Sequence, residues 1–267
     1  MSTLQSLQDN LGQLGRGGAS WSVGWWHVVK VGALILVLAL SPSTYTREHR
    51  SVIARHLVGG TAGILPWFAV MSALASVVLI RIVIVTSQSY GLSQYALEMM
   101  VRVLVLELIP LTAALFVALR TTVPAGAELI RLHARGELEA LQQTGVDPLR
   151  HELLPRVLAG VFAVWMLAAV SCTIAVLLAY VAVYGFSLGG FAGFTRTLGH
   201  IFDPVVSIVF ALKTLFFSLA VALIPVAALL RARQPGLRRG SAELESLVRL
   251  FAATLVIEAV SLMGNYY

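Results

Sequence analysis

Four ionisable residues interrupt the long apolar runs of this chain: Arg81, Glu107, Lys213 and Glu258. At the centre of a membrane helix such a group costs roughly 2.5 to 3.5 kcal/mol, so each has to be paired, face protein or face water. Arg81 lies shortly before the turn-like "TSQSYGLSQ", and Glu107 a comparable distance after Arg102. At about 1.5 Å of rise per residue, both come roughly 8 Å below the same surface on antiparallel neighbouring helices. They are expected to meet, with Arg81 as the positive partner of Glu107; the alternative has Arg81 snorkelling to headgroups. Lys213 and Glu258 are expected to pair with each other, as a structural bridge between two later helices or, alternatively, in the same role as Arg81 and Glu107.

No enzymatic pattern competes with these charges. The six histidines, at 27, 49, 56, 133, 151 and 200, sit in loops or interfacial stretches with no H-E-x-x-H spacing and no cysteine partner, so neither a catalytic nor a metal site is expected. The single cysteine, Cys172, excludes an internal disulfide and lies in the apolar "VSCTIA" with no base nearby in sequence. The two lysines, Lys30 and Lys213, do not follow a glycine, which excludes the G-x-x-x-x-G-K-S/T loop that cradles nucleotide phosphates. The chain is therefore expected to hold no cofactor of its own, and ATP, if used, must be bound by another polypeptide.

The elements that position these residues belong to a membrane. The chain is 58% hydrophobic and 12% charged, with a mean hydropathy of +0.85, where a soluble domain carries about 25% charged residues. Its net charge of +6 is spread by loop without interleaved aromatics, which excludes a nucleic-acid partner. The polar, glycine-rich start does not read as a signal peptide.

A hydrocarbon core of about 30 Å takes roughly 20 apolar helical residues, and five segments qualify. They are Leu57–Ile80, bounded by Arg55 and Arg81; Val103–Leu119, carrying only Glu107; the front of the uncharged run Val157–Thr195; Pro204–Leu230, interrupted by Lys213; and Leu250 to the end, interrupted by Glu258. The third helix is expected to stop near Tyr184, where glycines at 185, 189, 190 and 193 mark a loop. "VGALILVLALSP" is short for a span, and the indoles of the preceding "WSVGWWHVVK" favour the headgroup region, so an interfacial helix is expected there. The expected fold is an all-α integral membrane protein: a polar segment over 1–25, an interfacial helix and connection over 26–56, and five transmembrane helices over 57–267.

Arginines set the orientation. Arg47, Arg50 and Arg55 precede the first span, Arg120, Arg131, Arg135, Arg150 and Arg156 lie between the second and third, and Arg231, Arg233, Arg238, Arg239 and Arg249 between the fourth and fifth. By the positive-inside rule these regions face the cytoplasm, with the N-terminus inside and the C-terminal "GNYY" outside. One cytoplasmic stretch, "GELEALQQTGVDPLRHELLPR", sets Leu138 and Leu141 among carboxylates and amides before Asp147 and Pro148 cut the pattern. A short amphipathic helix of this kind is suited to dock in the groove of a separate energy-supplying subunit; alternatively it is an ordinary loop helix, solvated on one face.

Residues 106–160 carry a resemblance. Glu107, Pro110, Arg120, Ala127, Glu128, Gly145, Val146, Asp147, Pro148, Arg150, Pro155 and Arg156 fall in ungapped register on the motif of the MlaE/YrbE-type permeases. These are membrane subunits of ABC transporters that move lipid between bacterial inner and outer membranes. Lys213 with Phe217 and the acidic Glu258 resemble further family positions, while Leu106 and Ile109 replace the motif's arginine and glycine, and Gly136-Glu137 its E-Q, as in a divergent member. The resemblance implies a coupling helix over about 133–150, with Glu137, Leu138, Glu139, Leu141, Asp147, Pro148 and Arg150 engaging an ATPase. It implies a lipid cavity between two permease copies, for which Leu74, Val77, Val78, Arg81, Glu107 and Pro110 are the candidate lining. Further implied partners are an ATPase pair holding ATP and Mg, a periplasmic MCE-domain lipid carrier, a small cytoplasmic STAS-type subunit and the phospholipid itself, all at the bacterial inner membrane. Two other readings are a transport-inactive scaffold and a secondary transporter; the second wants inverted repeats and broken helices, and no repeat is visible.

Overall fold

The computed structural model describes residues 22–41, 47–92, 95–144, 147–232 and 239–266. The polar segment before residue 22, the motif residues Gly145 and Val146, and Arg233 and Arg238 of the last basic loop lie outside the described residues. Among those described, regular structure is helical throughout, without a strand. The helices are α1 (Ser22–Leu40), α2 (Arg47–Ala62), α3 (Leu65–Ser89), α4 (Ala96–Ala134), α5 (Glu137–Gln143), α6 (Leu149–Tyr184), α7 (Phe191–Ile201), α8 (Pro204–Ala232) and α9 (Arg239–Tyr266).

Among the described residues, six stretches are long and apolar enough to cross a bilayer. The first expected span, Leu57–Ile80, is divided: Pro66 in the first turn of α3 cannot donate to Ala62, and the chain turns at Gly63 and Ile64 before continuing to Ser89. At the far end of α3, Gly91, at φ 71°, completes the turn. The helix before Ser41 is longer than its 10 to 12 most apolar residues suggest, because Trp25, Trp26, Val28 and Val29 belong to it, giving 19 residues. It is set apart by its packing. Val31 and Ile35 bury among Leu129, Ile130, Leu138, Leu153, Val157 and Val226, all toward the arginine-rich end of the bundle.

The central helix is α4, with 61% of its apolar window buried against 17–33% in the other five. Ala113, Ala114, Val117 and Ala118 are fully enclosed, facing Ala163, Val164 and Leu167 of α6 and Phe217 and Val221 of α8. Small residues allow this close approach, which in lipid has to supply much of the helix–helix attraction. At one place the approach requires glycine: a Cβ on Gly126 would stand 2.9 Å from both Cβ and the carbonyl oxygen of Pro225 inside α8.

Proline also shapes α4 and α6 in a regular way. Three π-helical stretches, Val101–Leu108, Ala118–Thr122 and Leu149–Leu153, each end two residues before a proline, at Pro110, Pro124 and Pro155. A proline ring collides with the carbonyl four residues back and donates nothing to it, and a turn widened by one residue relieves that collision. Widening also rotates every residue on one side of the turn relative to those on the other.

The third span stops at Tyr184, with Gly185 as its C-cap. The following stretch, expected as loop, contains α7. Phe194 and Ile201 of α7 bury against Leu97, Met100 and Val101 of α4, and Phe194 meets the Tyr180 and Tyr184 rings edge-on at 5.0 and 6.2 Å. Of the glycines that signalled a loop, those at 185, 189 and 190 precede α7 and Gly193 lies on its exposed side, which is why composition hid the helix.

Candidate functional site

In the middle of the bundle α4, α8 and α9 each contribute one charge. Lys213 of α8 is the centre: its side chain is 2% exposed, and Glu107 and Glu258 are 9% and 16% exposed. The Lys213 ammonium donates to the Glu107 carboxylate and lies 2.9 Å from Glu258. It also donates to the Leu106 carbonyl at 3.4 Å. That carbonyl is available because Pro110, four residues on, has no N–H to offer it. Cys172 of α6 points its thiol at the neighbouring Val105 carbonyl, 3.9 Å away. The face of the Phe217 ring, one turn along α8, is 5.8 Å from the ammonium. An ammonium has three N–H bonds to place, and here it has three acceptors within reach.

The expected bridge between Lys213 and Glu258 is therefore present, and Glu107 joins it. The expected meeting of Arg81 with Glu107 does not occur. Arg81 is exposed, without an ion pair or hydrogen bond to any described residue, and lines a cleft of about 290 Å³ with Val77, Ile80, Ile84 and Leu178. Depth along the helices differs as well as facing: Arg81 lies beside Leu178, Val181 and Ala182 near the end of α6, whereas Val105, next to Glu107, meets Cys172 further in, and Glu107 points toward α8. The candidate lining of a single lipid cavity also divides in two. Leu74, Val77 and Val78 are 61%, 50% and 57% exposed on the outward face of α3, whereas Pro110 and Glu107 are buried inside.

Two further apolar grooves flank the charged centre. One, of about 500 Å³, lies between Trp25 and Val28 of α1, Phe216 and Leu223 of α8, and Ala253 and Val256 of α9. The other, of about 390 Å³, continues past Phe216 and Val256 to Lys213 and Ser261.

The second candidate region is the arginine-rich end. Gly136, at φ 72°, makes the left-handed turn that reverses α4 into α5. Leu138 of α5 is buried against Leu129, Ile130, Leu153 and Leu154, and Leu141 packs at the margin of the same cluster. The apolar side of this helix is thus used to hold it on its own bundle, and a partner is left the polar side. Glu137 stands 3.6 Å from Arg135, and Glu139 2.9 Å from His133. Asp147 and Pro148 do not stop a helix over 133–150 as the sequence suggested; α5 ends at Gln143, and they begin α6. The Asp147 side chain accepts from the Leu149 N–H at 3.0 Å and faces Arg150 at 3.7 Å. Arg156 binds Glu152 at 2.9 Å and reaches Glu128 at 3.8 Å, while Arg120 is exposed.

The family model for the permease MlaE matches residues 53–263. The chain belongs to the MlaE permease family. The match begins inside α2 and runs through α9, so it takes in the three buried charges, the α5 turn and every membrane-length helix except α1. A search of curated proteins finds no match. As a MlaE permease the chain is an integral membrane protein and a transporter's membrane subunit. Among the described residues no group of three or more metal-ligating side chains occurs. Sequence reasoning missed the link between Glu107 and Lys213 and the role of the Leu106 carbonyl, for which Pro110 was the available signal.

Proposed function

We propose that this chain is the membrane subunit of an ABC transporter that moves phospholipid, or a closely similar lipid, between the inner and outer membranes of a bacterium. The observation that carries the reading is the family match across all five later spans and the α5 turn. The lack of a phosphate-binding loop in the sequence supports a separate ATPase pair as the energy source. A second permease copy, a periplasmic MCE-domain carrier and a small cytoplasmic STAS-type subunit complete the proposed assembly. The arginine-rich end faces the cytoplasm in this reading.

The coupling route follows from the packing. An ATPase that grips the polar side of α5 moves Leu138, and Leu138 is wedged between the ends of α4 and α6. Displacement of α4 reaches Glu107, whose charge is tied to α8 and α9 through Lys213. The three helices therefore move as a set, and the apolar grooves beside Lys213 change shape with them. ATP hydrolysis on the partner supplies the work.

Affinity purification of the tagged chain followed by transfer assays tests the proposal. An ATP-hydrolysing subunit should copurify, and proteoliposomes holding the complex should move labelled phospholipid to an acceptor carrier only with ATP. Copurification without any ATP-dependent transfer would favour the scaffold reading, and absence of an ATPase would remove the transporter reading altogether.

A further inference from the structure

A cleft of about 370 Å³ opens at the arginine-rich end between α2, α4 and α6. Its lining is graded in depth. Along α2 the residues pass from Arg55 and His56 to Gly59 and Gly60, and along α6 from Arg156 to Ala159. On α4, which runs the opposite way, they pass from Thr121 and Thr122 outward through Ala125 to Glu128. All three helices thus put charge at the mouth and glycine, alanine or threonine one to two turns deeper, roughly 5 to 10 Å further in. That gradient has the shape of an amphiphile.

The mouth holds two guanidinium groups with capacity to spare. Arg55 is exposed and makes no ion pair or hydrogen bond with any described residue. Arg156 is only 11% exposed; its Nη2 is held by Glu152, but its Nη1 is buried without a hydrogen-bond partner. Guanidinium donors match the oxygens of a phosphate better than any other side chain. The floor is roomy where a glycerol backbone would lie. A Cβ on Gly59 would meet nothing within 4 Å, and one on Gly60 would touch Thr121 and Ala159 only at 3.7 and 3.8 Å.

We infer that this cleft binds the phosphate of an anionic lipid from the leaflet at the arginine-rich end. Arg55 and Nη1 of Arg156 donate to the phosphate, and Gly59, Gly60, Ala125 and Ala159 leave room for the glycerol and the first acyl carbons. Glu128, 61% exposed and 3.8 Å from Arg156, is the competing anion and swings out as the lipid enters. Glu152 stays at 2.9 Å and keeps Arg156 aimed. A free phosphate ion, strongly hydrated, gains nothing from the uncharged floor, so the lipid is the preferred source. The site goes beyond the permease reading and stands without it, because binding is read in the absence of transport.

Native mass spectrometry of the full chain in detergent, titrated with phosphatidylglycerol or with diacylglycerol, tests the inference. One phosphatidylglycerol per chain should bind about fivefold more weakly to Arg55→Ala, and Gly60→Leu, which fills the cleft without touching a charge, should lose it. Glu128→Gln should bind it more tightly than the unaltered chain, an effect that a merely structural glutamate would not give. Diacylglycerol, which lacks the phosphate, should not distinguish the variants. Unchanged phosphatidylglycerol affinity in both Arg55→Ala and Gly60→Leu would overturn the site, as would weaker binding to Glu128→Gln. Displacement of the lipid by millimolar inorganic phosphate would overturn the lipid assignment in favour of a free anion.

Discussion

Around Glu107 on α4 the charges are enclosed, with Lys213 2% exposed between two carboxylates. Around Glu128, roughly 30 Å along the same helix, the carboxylate is 61% exposed and reaches its arginine only at 3.8 Å. The residue types are alike, and the consequences of removing one are not. In the enclosed group each member is the reason the others are tolerated, since a lone buried charge is far costlier than a matched set. At the arginine-rich end water and neighbouring arginines share the load, and single exposed pairs contribute little. The same helix is thus fixed at one end and adaptable at the other, as the proposed coupling route requires.

The sharpest way to break this contrast is Lys213→Met. It strands Glu107 and Glu258 together without a cation, and the expected loss is about 3 to 5 kcal/mol. Thermal unfolding in detergent and the yield of folded protein read it. The combination of Lys213→Met, Glu107→Gln and Glu258→Gln should recover most of that loss, because the mutual dependence and not the charges themselves holds the site. A single Lys213→Met variant as stable as the unaltered chain would show that the enclosed group is no more demanding than a surface pair.

Leu138→Ala tests the other end through packing instead of charge. Leu138 is 4% exposed in a cluster with Leu129, Ile130, Leu153 and Leu154, and truncation in such a place costs about 2 to 3 kcal/mol. The expected effect is local: amide exchange over residues 137–143 should accelerate while the segment around Glu107 keeps its protection. Uniform acceleration through α4 would show that the two ends are not independent. Unchanged exchange would show that Leu138 is not the anchor of α5.

What was legible in the sequence follows from what each signal measures. Uninterrupted apolar length located the later spans, and the glycine after Tyr184 gave the end of α6, because both depend on local composition alone. The pairing of Lys213 with Glu258 was legible because a buried charge demands a partner. The partner of Glu107 was not, because counting residues to a turn whose helix ends are unknown misjudges depth and says nothing about rotation. Glu107 lies in the widened stretch before Pro110 and points at Lys213 of α8. Leu138 and Leu141 announced an amphipathic helix, but periodicity cannot say whether the apolar side is offered to a partner or kept by the chain. Here it is kept. α7 was hidden by its glycines, and the start of α1 by counting only its most apolar stretch.

The smallest expected effect on stability carries the most information about function. Glu137 is 49% exposed on the polar side of α5, with Arg135 3.6 Å away. An exposed pair at that distance is worth little, so Glu137→Lys should change stability by no more than about 0.5 kcal/mol. If the polar side of α5 meets the ATPase, the same substitution places a like or opposite charge directly in the contact, and ATPase stimulation by the permease should fall several-fold with folding untouched. Leu138→Ala should lower both stability and stimulation, whereas Glu137→Lys should lower stimulation alone. A Glu137→Lys complex that hydrolyses ATP and moves lipid at the unaltered rate would place the coupling contact elsewhere on the arginine-rich end, with the exposed Arg120 and the Asp147–Arg150 pair as the next surface to change.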